Sequence, residues 1–374
     1  MSEQTIVDLV PGPVLAHPGT TAEQVADRPP RLEVREILTP ADAKAFTALL
    51  LKELPSHYDE VDATFPESIL NNARNGQDPF GYFTLSKDVY TTYVDGQLAG
   101  FTVVTMKRGG SAKIGPTAVL PEFRRTGIAS ALRDIVERKL YEGLGVRKLY
   151  MTVSASNVPA LLFNLDRGFK IEGILRGQYR PDQDEFVLGA FNPARPTAVE
   201  AAETRYEVEA ARGRWNDAIG STAALWTDPD VEELRAFLSP RLEDSFDQLD
   251  IGFYQAIIDA CRESRQTYHQ KGKRLLAART DGVLSAVAVY VPKRGGGAKL
   301  SPCVADNADA ARALIAEALE LAASEGRRKI YIHVPDARFD MVALLVSLGF
   351  AIEAQLREAY RPGTNIIVLG RLVP

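Results

Sequence analysis

The feature that most constrains the fold of this chain is an internal repeat. Met106-Lys107-Arg108-Gly109-Gly110-Ser111-Ala112-Lys113 recurs as Pro292-Lys293-Arg294-Gly295-Gly296-Gly297-Ala298-Lys299, a shift of 186 residues. Further along, Arg147-Lys148-Leu149-Tyr150 recurs as Arg328-Lys329-Ile330-Tyr331, and Gly168-Phe169 as Gly349-Phe350. Leu175-Arg176, Tyr179-Arg180-Pro181 and Val187-Leu188-Gly189 recur as Leu356-Arg357, Tyr360-Arg361-Pro362 and Val368-Leu369-Gly370, all at a shift of 181. Blocks that keep order and register across a whole unit mark a duplication. The second copy is five residues shorter between the two groups of blocks. With 374 residues, two domains are the expectation.

Hydropathy patterning divides the chain. Residues 1–30 are rich in Pro, Gly, Ala and Thr and read as an irregular arm. Residues 31–192 read as the first domain, 193–220 as a charged linker helix, and 221–374 as the second domain. Within the first, Leu32–Ile37 alternates like a strand. Thr39-Pro40-Ala41-Asp42 opens a helix. Asp95-Gly96 joins two apolar runs as a hairpin turn. The Lys107–Gly110 turn reads as a solvated hairpin tip.

Composition excludes several classes. The net charge of −5 gives no basic face for a nucleic-acid backbone. Cys261 and Cys303 form no Cys-x-x-Cys pair, and His17, His57, His269 and His333 have no metal-ligand spacing. No basic-then-apolar leader opens the chain and no apolar run reaches membrane-spanning length. The expectation is a cytoplasmic protein with no metal, no nucleic-acid partner and no membrane partner.

The chemistry-bearing segment is Val119-Leu120-Pro121-Glu122-Phe123-Arg124-Arg125-Thr126-Gly127-Ile128-Ala129. It reads as a strand end, a short loop and a helix start. Ile128, Leu132, Ile135, Val136, Leu140 and Leu144 then form one apolar stripe. A helix N-terminus presents unpaired N–H groups and suits a phosphate. Gly127 permits close backbone approach, small Ala129 and Ser130 leave room, and Arg124 and Arg125 add positive charge.

This segment, followed by the strand Lys148–Val153, Asn157 and Gly168-Phe169, resembles the GNAT N-acetyltransferase superfamily. The resemblance covers residues 32–192 and, as a degenerate copy, 221–374. It implies an α/β fold, a mixed central sheet flanked by helices, in two tandem lobes. It also implies acetyl-CoA or another acyl-CoA as co-substrate. Thr117, Ala118 and Val119 would bind the pantetheine arm through their backbone. Arg124, Arg125, Thr126, Gly127, Ile128, Ala129 and Ser130 would wrap the pyrophosphate, with Asn157 and Asn164 nearby. Pro116 fits a bulge that splays two parallel strands to admit the cofactor. The family's usual tyrosine position, seven residues after Asn157, holds Asn164, and the strand before the loop carries no glutamate. Tyr179 and Ser154 stand as substitute catalytic residues.

The second copy has no Arg-x-x-Gly. Asp306 and Asp309 would cap its helix themselves and repel a pyrophosphate. Arg338 stands in place of Asn157, and Leu345 in place of Asn164. Tandem mycothiol-synthase-type members show a similar division, with the working lobe at the other end. The expected activity is transfer of an acyl group to the amine of a small molecule, with a homodimer left open. The alternatives are a peptide or protein N-terminal acetyltransferase, or a CoA-binding sensor or scaffold without turnover.

Overall fold

The computed structural model describes residues 5–8, 31–36, 39–59, 61–75, 81–195, 215–262 and 272–373. The first lobe runs β2 (Arg31–Glu36), α1 (Pro40–Glu53), α2 (Thr64–Asn75), β3 (Thr84–Val94), β4 (Gln97–Lys107) and β5 (Ser111–Val119). It continues through α3 (Ile128–Arg138), β6 (Lys148–Ser154), α4 (Val158–Asp166), β7 (Lys170–Arg180) and β8 (Gln183–Phe191). The second lobe runs β9 (Thr222–Leu225), α5 (Val231–Leu242), α6 (Ile251–Arg262), β10 (Arg274–Thr280), β11 (Val283–Pro292) and β12 (Gly297–Ala305). It ends with α7 (Ala308–Ser324), β13 (Lys329–Pro335), α8 (Phe339–Ser347), β14 (Ala351–Arg361) and β15 (Thr364–Leu372). One correction concerns the N-terminal arm: the backbone of Thr5–Asp8 forms a strand, β1, antiparallel to β2. It pairs the open side of β2, whose N–H and C=O groups would otherwise be an unpaired edge. The linker-helix expectation for 193–220 falls largely outside the described residues.

Local sequence explains the elements. Thr39 and Asp42 form a reciprocal capping box at α1: Thr39 Oγ1 accepts from the Asp42 amide at 3.2 Å, and Asp42 Oδ2 from the Thr39 amide at 3.3 Å. Asp95 and Gly96 have φ of 48° and 83°, the positive pair that a two-residue hairpin turn requires. Ile128, Leu132, Val136 and Leu140 are buried, as the stripe predicts, but Leu144 is exposed. The helix widens over Lys139–Gly143, which rotates Leu144 off the stripe.

Among the described residues all strands join one 15-stranded sheet, in the order β1-β2-β3-β4-β5-β6-β8-β7-β14-β15-β13-β12-β11-β10-β9. The pairs β5·β6 and β12·β13 are parallel, and the other pairs are antiparallel. The equivalent strands β7 and β14 meet at the centre, so the lobes are related back to back. Helices α3 and α4 pack on one face of the first lobe, α1 and α2 on the other. In the second lobe α7 and α8 cover one face. The opposite core joins α5 and α6 to Tyr82, Leu175 and Val187 of the first lobe. In the second lobe Leu314, Ile330, Ile332, Leu344, Leu345 and Phe350 are buried, and Leu319, Leu321 and Leu348 are partly buried.

The repeated motifs build the junction. Lys148 Nζ donates to both Glu172 carboxylate oxygens at 2.7 Å and to the Arg357 carbonyl of the other lobe. Reciprocally, Lys329 Nζ donates to Glu353 at 2.8 and 2.9 Å and to the Arg176 carbonyl at 2.7 Å. Arg147 Nη2 donates to the carbonyls of Gly109 at 2.7 Å and Glu358 at 3.0 Å. The Lys107–Gly110 turn is therefore not a solvated tip. A Cβ on Gly109 would strike the Tyr360 carbonyl, and one on Gly295 the Tyr179 carbonyl. Each copy's turn is pressed against the other copy's tyrosine strand.

Candidate functional site

The site begins where the parallel strands part. β5 pairs with β6 over Ser111–Lys113, and no pairing of β5 with β6 follows among the described residues. The register of β4 against β5 slips at Thr102/Val104, which places a bulge at Gly115-Pro116. Beyond it Thr117, Ala118 and Val119 pair with β4 on one side, leaving the other edge of their backbone toward the gap. Thr117 Oγ1 lies 2.6 Å from Thr102 Oγ1.

The loop from β5 to α3 is open. Arg124, Arg125, Thr126 and Gly127 are exposed, Ile128 is buried, and Ala129 and Ser130 are half-buried. Gly127 is the N-cap residue of α3 at φ 86°, with no side chain capping the helix. A Cβ there would meet no atom within 4 Å, so the cradle is empty space. Arg125 also has positive φ, 62°. Thr126 Oγ1 closes the loop by donating to the Phe123 carbonyl at 2.6 Å. Arg124 is committed elsewhere: it donates to the Val119 carbonyl at 2.9 Å and pairs with Glu53 at 2.5 Å. Ser130 Oγ accepts from Arg167 at 3.2 Å.

Two further expected residues, Asn157 and Asn164, have partners within the chain. Asn157 Oδ1 caps α4, accepting from the Ala160 amide at 3.2 Å. Asn164 is buried and donates to the Ala160 carbonyl at 2.7 Å, while its Oδ1 finds no partner among the described residues. Ser154 Oγ is tied to Ser156 Oγ at 2.9 Å and Gln183 at 3.2 Å. Tyr179 is better placed. Its hydroxyl accepts from Lys113 Nζ at 3.4 Å and lies 3.4 Å from Thr152 Oγ1, with the Tyr58 ring edge-on at 4.8 Å.

Beside this group lies Glu185, which the sequence reading missed. It sits on β8 opposite Ser154 of β6 and Leu175 of β7, and is buried. Strand alternation puts Glu185 on the same face as Val187, with Thr152 and Ser154 across the ladder. Burial pushes its carboxyl up to about 7; nearby Lys113 acts the other way, and Asp184 adds to the rise. A signal was available: at the shift of 181 the second copy has Ile366. Glu185 lies between the repeated blocks Tyr179-Arg180-Pro181 and Val187-Leu188-Gly189, at a position where the two copies differ.

The second lobe repeats the scaffold without the site. β12 pairs with β13 over Gly297–Leu300 and then diverges, again at a proline, Pro302. Where the first lobe has Leu120–Gly127, the second has Asp306 and Asn307 alone before α7. Asn307, rather than Asp306 or Asp309, caps the helix, accepting from the Ala310 amide at 2.7 Å. Asp306 binds Arg241 through two 2.6 Å contacts, and Asp309 accepts from the Ser221 amide at 2.7 Å. Arg338 Nη2 donates to the Ala305 carbonyl at 3.1 Å, and its Cζ lies 5.3 Å from the Trp215 ring centroid. The chain's own residues occupy the place that the first lobe leaves empty.

Comparison with known proteins agrees with this architecture. Residues 46–169 match the acetyltransferase (GNAT) family, and residues 265–366 match an acetyltransferase (GNAT) domain. An N-alpha-acetyltransferase of Sulfurisphaera tokodaii is 30% identical over 112 residues, 27% of this chain and 67% of the relative. One from Saccharolobus solfataricus is 31% identical over 71 residues, 19% of this chain and 42% of the relative. Among solved structures, Ard1 from Thermoplasma volcanium has 20% identity and a TM-score of 0.35, covering 43% of this chain and 97% of that one. The chain belongs to the GNAT acetyltransferase family and carries two of its domains in tandem. No helix among the described residues is long and apolar enough to cross a membrane.

Proposed function

We propose that the first lobe transfers an acetyl group from acetyl-CoA to the amine of a small molecule, with Glu185 as the base. The loop residues fit the co-substrate. Backbone N–H groups of Arg125–Ser130 would hold its pyrophosphate, and the free edge of Thr117–Val119 its pantetheine arm. In the reaction the amine nitrogen bonds to the thioester carbonyl carbon and the carbon–sulfur bond breaks. The nitrogen's surplus proton goes to the Glu185 carboxylate. The departing thiolate takes a proton from the Tyr179 hydroxyl, which Lys113 and Thr152 hold.

The observation that carries this reading is Glu185 itself: a buried carboxylate, titrating at about 7, present in the lobe with the open loop. A base works best when its pKa lies near the operating pH. Protonated Glu185 cannot accept the proton, so kcat/KM should rise with pH through an apparent pKa of about 7. Glu185→Gln should remove that limb together with most of the activity. An unchanged acid limb in the variant excludes Glu185 as the base.

A small acceptor is favoured by a cavity of about 240 Å³ walled by both lobes beside Tyr179. A peptide N-terminus is the second reading, favoured by the names of the two archaeal relatives. Acetylation of a small-amine panel against short peptides separates them.

A further inference from the structure

The Lys293–Gly296 turn of the second lobe, between β11 and β12, reaches the surroundings of Tyr179 by two routes. In the first, Arg294 Cζ lies 3.6 Å from the centroid of the Phe65 ring, in the first turn of α2. That is a close cation–π contact. Phe65 and Tyr58 pack on the same core under α1 and α2. Tyr58 is the residue whose ring meets Tyr179 edge-on, and Asp59 lies 3.9 Å from Arg180. In the second route, the next residue of the turn, Gly295, lies against the Tyr179 carbonyl. Arg328 secures this contact: Nη2 donates to the Gly295 carbonyl, and Nη1 donates at 3.4 Å to the carbonyl of Gly177, two residues before Tyr179.

The Tyr179 hydroxyl itself is lightly tethered. Its contacts with Lys113 and Thr152 are both 3.4 Å, at the long end of the hydrogen-bond range. Much of its placement is therefore left to what grips the ring and the backbone, and both grips lead to the second lobe. A reacting group has to be held to within about 0.5 Å, and a misplacement of about 1 Å can cost about a hundredfold in rate. We infer that Arg294 is a positioning residue for the first lobe. By clamping Phe65 it steadies the core that carries Tyr58, and so holds the Tyr58 ring against Tyr179. The second lobe then sets the geometry of a reaction it does not carry out; the effect on rate rests on Tyr179 being the acid, as proposed above.

The reciprocal contact is looser. Arg108 of the first lobe faces Phe253 of α6, but its Cζ is 5.6 Å from the ring centroid. Its guanidinium is held instead by the Tyr82 carbonyl at 2.8 Å and the Gln248 carbonyl at 2.5 Å. Gly109 lies against the Tyr360 carbonyl as Gly295 does against that of Tyr179. The backbone contact is common to both copies. The tight arginine–phenylalanine clamp occurs in the direction that serves the lobe with the open loop.

The test labels the full chain with fluorotyrosine and reads its fluorine spectrum with CoA bound. The chain has 13 tyrosines, and the Tyr179 signal is the one missing from Tyr179→Phe. Arg294→Met removes the charge and the planar head while keeping an apolar stem. It should move or broaden the Tyr179 signal while melting and acetyl-CoA affinity match wild type. It should also slow acetylation of the best acceptor in the small-amine panel about tenfold or more. That slowing should vanish when Arg294→Met is added to Tyr179→Phe, because it runs through Tyr179. Phe65→Leu removes the other half of the clamp and should give the same shift and slowing; it is the second variant should Arg294→Met melt below wild type. A Tyr179 signal unmoved in both variants overturns the inference, and so does equal slowing in the Tyr179→Phe background. Full-rate acetylation by both variants while Tyr179→Phe is slow overturns it as well. If the signal moves but Tyr179→Phe keeps full activity, the acid assignment fails and the positioning stands.

Discussion

The start of α3 and the start of α7 hold the same place in two copies of one fold, and they differ in what fills them. At α3 the loop Leu120–Gly127 leaves bare backbone amides around a glycine whose missing Cβ is open space. At α7 the loop is gone, Asn307 caps the helix, and Asp306 and Asp309 are bound to Arg241 and the Ser221 amide. The two copies thus differ by a shortened loop and by internal acceptors at the helix start, while the sheet is kept. The junction motifs had the opposite history. Arg-Lys-[Leu/Ile]-Tyr is present in both copies, and its arginine and lysine bind the other copy's backbone, while the tyrosine of Tyr-Arg-Pro lies against the other copy's Gly-Gly turn. What stayed the same is what joins the lobes; what diverged is what each lobe would do alone.

The largest expected effect breaks that comparison at the loop. Gly127→Asp puts a carboxylate into the cradle and should weaken acetyl-CoA binding about a hundredfold or more, from lost charge-assisted bonds and repulsion. The matching Asn307→Asp in the second lobe should leave affinity unchanged. Isothermal titration of both variants checks this, with melting curves to show that each is folded.

Next in size are the junction ion pairs. Lys148 is fully buried, and burial pushes its ammonium down to about 8 although Glu172 supports the charge. Removing one partner leaves the other buried and unpaired, so Glu172→Gln and Glu353→Gln should each cost about 3–5 kcal/mol of stability. Chemical denaturation of the two variants tests whether the halves of the junction are equivalent. Unequal losses would sharpen the comparison by showing which lobe depends on the other.

Gly109→Ala and Gly295→Ala should each cost about 1–3 kcal/mol, because the new methyl strikes a carbonyl of the opposite lobe. The smallest effect is at Asn157. As a cap of α4, Asn157→Ala should cost about 1 kcal/mol and leave acetyl-CoA affinity unchanged. A large loss of affinity instead would return Asn157 to the co-substrate site.

Much of this was legible in the sequence. The duplication, the strand–loop–helix around Gly127 and the missing Arg-x-x-Gly loop of the second copy are local patterns, so residue order carries them. Roles set across the sheet were not legible. Glu185 has an ordinary hairpin-end context; it matters because β8 pairs with both β6 and β7 and buries it. The Lys107–Gly110 turn looked solvated because nothing local reveals that another lobe packs on it. Asn157 matched a family position, and the structure adds that its Oδ1 caps α4.

The central claim is that one lobe works and the other supports it. Calorimetric titration of the full chain with acetyl-CoA tests this most directly. The account predicts one molecule bound per chain, with the signal abolished in Gly127→Asp. Two molecules per chain, or one that survives in Gly127→Asp with an unchanged melting curve, would contradict it.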